Sequence, residues 1–237
     1  MDVPPDEARE VRSRDPHPRP PRGTGAPGGP PAAPFRIQVF TLGPVQANGY
    51  VLLDDTAGVA VFVDAPHDPE PMLQAAAGYR VAAVLLTHAH FDHIGGLRAI
   101  KEATGAPVWI HRHEADWLGD PQRNLSVWLE PVVAPPADHL LAGGERLAFG
   151  GIELEVRFAP GHSPGHVVFV ASGVVLAGDT LFAGSIGRTD LPGGDLPTLL
   201  DSIRRELLVL PGDTRLLPGH GPETTIAVER ATNPFLQ

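Results

Sequence analysis

The chain has 237 residues, 42% hydrophobic and 19% charged, with a formal net charge of −10 and no cysteine. This composition suits a globular domain with an appendage and excludes a wholly disordered chain, disulfides, thiolate metal sites and cysteine nucleophiles. The acidic balance argues against nucleic acid or an anionic membrane as the main partner, and no apolar run approaches the length of a membrane helix.

Residues 1–34 stand apart. They hold ten of the 27 prolines, five acidic residues and five arginines, and almost no large apolar side chain. Such a segment cannot bury enough surface to offset its ordering entropy, so a disordered Pro-rich arm is expected there, with a folded domain over 35–237. The N-terminus lacks an apolar leader run, which places the expected location in the cytoplasm. Lys101 is the only lysine among 18 basic residues, leaving little room for a lysine base or Schiff base.

The apolar–polar alternation of 35–40 predicts a strand that Gly43-Pro44 breaks. Residues 50–53 and 59–63 read as strands, the second fully buried and ending at Asp64. A short helix is expected over 69–77, with Asp68 as its N-cap. Residues 81–87 form another apolar strand. Helical periodicity runs from Ile94 to Ala103 and stops at Gly105. A strand over 108–110 and a helical turn over 114–118 follow. Beyond the prolines of 131–136, four short strands are expected over 145–149, 152–158, 167–171 and 174–176, separated by glycine turns. A helix over 196–208, a strand over 215–217 and a helix over 224–230 complete the chain. This order predicts an α+β fold, a four-layer αββα sandwich made of two similar halves.

The run Thr87-His88-Ala89-His90-Phe91-Asp92-His93 carries the chemistry. It follows an apolar strand and precedes a helix, so His88, His90, Asp92 and His93 enter one cleft. Three imidazoles and a carboxylate packed together are costly unless a cation organises them. Neutral imidazole and carboxylate are natural ligands for Zn²⁺ and related divalent ions. Three further candidates sit beside glycines after apolar strands: His162 in Pro160-Gly161-His162, Asp179 in Gly178-Asp179-Thr180, and His220 in Gly219-His220-Gly221.

This set resembles that of the metallo-β-lactamase superfamily. The stretch from Gly178 to Asp190 (GDTLFAGSIGRTD), the ending Pro218-Gly219-His220-Gly221-Pro222 and Asn233-Pro234-Phe235 resemble the glyoxalase II, or hydroxyacylglutathione hydrolase-like, branch. The resemblance covers residues 35–237 and matches the single-domain form of that branch. It implies two divalent metal ions, zinc first, with iron or manganese as alternatives. His88, His90 and His162 would hold one; Asp92, His93 and His220 the other; Asp179 would bridge them. The implied catalytic carboxylates are Asp92 and Asp179. The implied function is hydrolysis of a small-molecule thioester by a metal-bridging hydroxide. The longer form's C-terminal helical domain, which contributes glutathione contacts, is not expected here, so another thiol carrier or a broader thioester range is the implied alternative. A mono-iron persulfide dioxygenase on His88, His162 and Asp179 is the alternative, and a lactonase or another hydrolase of this fold a third.

Other residues read two ways. Arg188 is either a contact for a substrate carboxylate or a partner of Asp190. Asp64 reads as a turn cap first and as a residue orienting a metal ligand second. Phe91 and Phe182 are expected to wall the cleft. His111 and His113 lack the glycine-flanked pattern, and His166 suits packing or loop hydrogen bonding. His67 and His139 read as surface residues, and Trp109, Trp117 and Trp128 as core.

Overall fold

The structure, a computed structural model, describes residues 35–237. The Pro-rich arm expected over 1–34 lies outside them. The first half comprises β1 (Arg36–Leu42), β2 (Ala47–Asp54), β3 (Val59–Val63), α1 (Glu70–Ala75), β4 (Arg80–Leu85), α2 (Phe91–Ile94), α3 (Leu97–Thr104), β5 (Val108–His111) and β6 (His139–Leu141). Its six strands form one sheet in sequence order. Strands β1 to β3 pair antiparallel, and β3 to β6 pair parallel.

The second half comprises β7 (Arg146–Phe149), β8 (Ile152–Phe158), β9 (Val167–Ala171), β10 (Val174–Gly178), the small hairpin β11 (Leu181–Phe182) and β12 (Ser185–Ile186), α4 (Leu196–Ser202), β13 (Arg215–Pro218), β14 (Thr224–Thr225) and α5 (Ile226–Thr232). Its main sheet has the order β14-β13-β10-β9-β8-β7.

Side-chain burial explains the layering. Leu52, Val61 and Leu85 of the first sheet meet Leu154, Val156 and Phe169 of the second in the central core. The opposite face of the first sheet packs Val51, Phe62 and Val84 against Met72, Leu97 and Ile100 of the helices. The outer face of the second sheet packs Val168, Val175 and Leu216 against Leu199, Ile203 and Ile226. Strand β3 is buried on both faces, hence its unbroken apolar run. The layers therefore run helix, sheet, sheet, helix, as the sequence predicts.

Several local expectations change. The helix expected from Ile94 begins earlier and splits at Gly95-Gly96. A Cβ on Gly95 would lie 2.2 Å from the His67 ring, and one on Gly96 2.3 Å from the Pro66 carbonyl, so these turns pack directly on the His67 side chain and the Pro66 backbone. His67 is accordingly half-buried, not a surface residue. Asp68 does not cap α1: it takes φ +59°, and Pro69 occupies the N-cap without a side-chain bond. The helix from Leu196 widens into a π-turn over Ile203–Leu207. Trp109 and Trp117 are half-buried, but Trp128 is 91% exposed, contrary to a core role. Strands β6, β11, β12 and β14 are too short to leave a period in the sequence. Among the described residues no helix is long and apolar enough to cross a membrane.

Candidate metal centre

The site lies at one end of the sandwich, where loops after β4, β8, β10 and β13 converge. His88, His90 and His93 are buried. Asp92 and His93 stand on the first turn of α2, which brings them to the same side as the two preceding histidines.

The arrangement fixes most ring faces through Nδ1. The Thr87 hydroxyl donates to Asp64 Oδ2 (2.9 Å) and so accepts from His88 Nδ1–H (3.0 Å). His93 Nδ1–H donates to Asp64 Oδ2 (2.9 Å), His162 Nδ1–H to the Arg188 carbonyl (2.8 Å) and His220 Nδ1–H to the Gln46 carbonyl (3.3 Å). Each leaves an Nε2 lone pair for the cleft. His90 differs, presenting Nδ1 at 2.9 Å from His162 Nε2.

Three groups have mutually close ligand atoms: the triads His88, His90 and His162, and Asp92, His93 and His220, and a third, His88, His93 and Asp179, that joins them. Asp179 lies between them. Its Oδ1 is 3.4 Å from His93 Nε2; its Oδ2 is 3.5 Å from His162 Nε2 and 3.7 Å from His220 Nε2. Asp92 Oδ2 is 3.0 Å from His220 Nε2. The structure thus brings all seven predicted ligands into one cluster. Asp179 N–H donates to His166 Nε2 (3.0 Å), so His166 serves the loop backbone. Gly219 is required by close approach, since a Cβ there would lie 2.0 Å from Asp179 Oδ1.

Electrostatics set the protonation. Burial, reinforced by the surrounding imidazoles, pushes His88 well below the ordinary histidine range. Burial beside His162 lowers His90 to about 3. Burial alone would raise Asp92 and Asp179, but neighbouring histidines, His93 foremost, hold both low and therefore anionic. Burial also opposes protonation of His93, but the carboxylates of Asp92, Asp179 and Asp64 outweigh it and raise that ring.

The donor set fits divalent cations. His88 Nε2, His93 Nε2 and Asp179 Oδ1 are buried without a hydrogen-bond partner. Unsatisfied buried polar atoms are rare, and these three lie together at one place. The anionic carboxylates and the neutral His88 and His90 rings are forms a cation takes, and a bound ion would displace the proton that the carboxylates favour on His93.

A cleft of about 390 Å³ opens over the centre. Val45, Phe91, Leu125, Phe182, Ile186 and Leu191 line it, so both predicted phenylalanines wall it. Arg188 also borders it, but its guanidinium forms a bidentate pair with Asp190 (2.8 Å twice). His111 stacks on Phe158, 4.5 Å between ring centroids, and His113 contacts both rings; neither joins the cluster.

A family model of the metallo-beta-lactamase superfamily matches residues 42–220. The chain belongs to the metallo-beta-lactamase superfamily. It is 45% identical over 201 residues to "Probable metallo-hydrolase YqgX" of Bacillus subtilis, covering 82% of this chain and 94% of that one. It is 34% identical over 209 residues to "Hydroxyacylglutathione hydrolase GloC" of Haemophilus influenzae, covering 85% and 98%. Among solved structures, BLEG-1 B3 metallo-beta-lactamase superposes with a TM-score of 0.81 at 43% identity, covering 85% of this chain and 100% of that one. TTHA1623, solved in a di-iron-bound form, gives 0.72 at 40% identity, covering 84% and 100%.

Within this superfamily member, Asp64 takes the second of its two sequence readings, orienting a ligand. It caps no turn: its carboxylate receives Thr87 N–H (2.8 Å) and holds His93, from a residue at φ +59°. Glu114 escaped notice as a functional residue. The available signal was position, because it follows β5, which pairs parallel with the β4 strand that leads into the ligand loop.

Proposed function

We propose that this metallo-hydrolase cleaves a small-molecule thioester, releasing a carboxylic acid and a thiol. The observation that carries the reading is the pair of triads around Asp179, with buried atoms left without partners at their centre. The likeness to a hydroxyacylglutathione hydrolase supports the thioester class.

His88, His90 and His162 would hold one divalent ion, and Asp92, His93 and His220 the other, with Asp179 between. Zinc suits this nitrogen–oxygen set, and iron is the alternative that a di-iron relative supports. When bound, such paired ions supply Lewis acidity: they make water a nucleophile at neutral pH and polarise the acyl carbonyl. The chain does the rest. Asp64, Thr87 and the Arg188 carbonyl fix ring orientation, so the ligands need no rearrangement. Asp92 and Asp179 bring negative charge to match the dications. The apolar cleft wall takes the acyl group and excludes bulk water. Among the described residues Arg188, tied to Asp190, is the one arginine or lysine bordering the cleft, which argues against a carrier held through two carboxylates and for a less anionic thiol.

The test is metal analysis of protein purified without oxygen, in parallel with assays on S-lactoylglutathione and an N-acetylcysteamine thioester. Two metals per chain with turnover, faster on the uncharged carrier, is expected. One iron per chain with persulfide-dependent oxygen uptake and no hydrolysis overturns the proposal.

A further inference from the structure

We propose that Glu114 is the positioning residue of the first cation site, clasping the two loops that supply its three imidazoles. Glu114 is fully buried just beyond β5, in a turn closed by its own N–H on the His111 carbonyl (3.0 Å). Its two oxygens point to different halves of the molecule. Oε2 accepts Ala89 N–H (2.6 Å), between His88 and His90. Oε1 accepts the Ser163 hydroxyl (2.5 Å), next to His162, and Gly165 N–H (2.6 Å). The first loop leaves β4 of one sheet; the second leaves β8 of the other. A single carboxylate therefore spans the sandwich at the floor of the site.

A second bond completes the geometry. Val167 N–H donates to the Thr87 carbonyl (2.9 Å), joining the same two segments one step further along. Two attachment points fix both the spacing of the loops and their angle; one would leave a hinge. The fit around Glu114 is close, since a Cβ on Gly165 would lie 2.8 Å from Glu114 Cγ.

The choice of side chain is informative. Among the described residues Glu114 makes no ion pair. Burial raises its pKa, and three donated hydrogen bonds oppose that. A buried carboxylate without a cation partner is a poor choice for merely filling space. Two acceptor oxygens on one planar group, aimed at two loops, are what the role requires. Glutamine has only one acceptor oxygen, so its amide would face a backbone N–H on one of the loops.

Asp54 provides the matched comparison. It too is buried, and it too clasps both halves: Oδ1 accepts Thr56 and Ala57 N–H, and Oδ2 accepts Gly151 N–H (2.7 Å). It lies seven residues along β2 from Ala47, which bridges His220, and thus about 23 Å from the site.

The experiment is stepwise Co²⁺ titration of the metal-free full-length chain, following visible absorption and competition with a chelator. It compares wild type, Glu114→Gln and Asp54→Asn, with thermal melting of each metal-free protein. Glu114→Gln is expected to weaken one of the two binding steps by about 10–100-fold and shift its Co²⁺ spectrum, leaving the other step unchanged. Asp54→Asn is expected to lower the melting temperature with both steps unchanged. If Glu114→Gln binds both ions as wild type does, whatever its melting temperature or turnover, Glu114 is only a fold strut and the proposal fails. Should the glutamine variant not fold, Glu114→Asp, which keeps the charge but cannot reach both loops, is judged by the same titration. The proposal rests on the metal reading of the centre and not on the thioester. A wild-type chain that binds two ions but cleaves no thioester removes the substrate and leaves Glu114 standing; a wild-type chain that binds no ion removes both.

Discussion

The two ends of the sandwich both bury carboxylates, and they treat them differently. At the far end, both Asp54 oxygens receive backbone donors from its own turn and the β7–β8 hairpin. At the cleft end, Asp179 Oδ1 and the Nε2 atoms of His88 and His93 are buried with no partner. An unpartnered buried polar group costs on the order of 1–3 kcal/mol, so several at one place mark a position built for something else. Burial of charge is common to both ends; incomplete satisfaction separates a ligand site from a structural clasp. Glu114 belongs with Asp54 by its full complement of donors, and with the metal centre by what those donors hold.

That contrast can be broken by substitution. The largest effect is expected from Asp179→Asn, which removes a charge between the two triads. Metal content and turnover should fall together, turnover by more than the 10–100-fold typical of outer residues; metal analysis beside kcat checks this. Normal metal content with normal turnover would place Asp179 outside the centre. Next comes Asp64→Asn, which touches the site only through His93 and Thr87. It should weaken metal affinity by about 10–100-fold, seen by chelator competition. Thr225→Ala removes the hydroxyl that caps α5 by accepting Val228 N–H. It should lower stability by about 1 kcal/mol, or about 2–4 °C in melting temperature, without altering metal content. The smallest effect is expected at Trp128, 91% exposed: Trp128→Ser should change stability by no more than about 0.5 kcal/mol in a denaturant titration.

Much of the architecture was legible because its cause is local. Strand β3 reads as buried because all five of its residues are apolar, and α3 ends at Gly105, which takes φ +67°. The split at Gly95-Gly96 was not legible, because it depends on Pro66 and His67 arriving from another turn. The short strands β11 and β14 exist only through their partners. Trp128 reads as core by residue type and is exposed because the loop is anchored instead by Asn124, whose side chain bonds the Trp117 and Val132 carbonyls.

By itself, the sequence determined the ligand types and their supply. His88, His90, Asp92 and His93 lie within six positions after an apolar strand, and chain geometry alone keeps them together. Glycine beside His162, Asp179 and His220 marked turns where the backbone could come close. Only the tertiary structure decided that these three distant loops meet the first, through pairings such as β10 with β13 and Val167 with Thr87. It also decided which of the buried histidines face the centre: His88 does, while His166 turns its Nε2 to a backbone N–H and His111 stacks on Phe158. The same holds for Asp64 and Glu114, one read as a cap before an orienting residue and the other left without a role. A residue's type is a property of the chain, but its partner is a property of the packing, and positioning residues are defined by their partners.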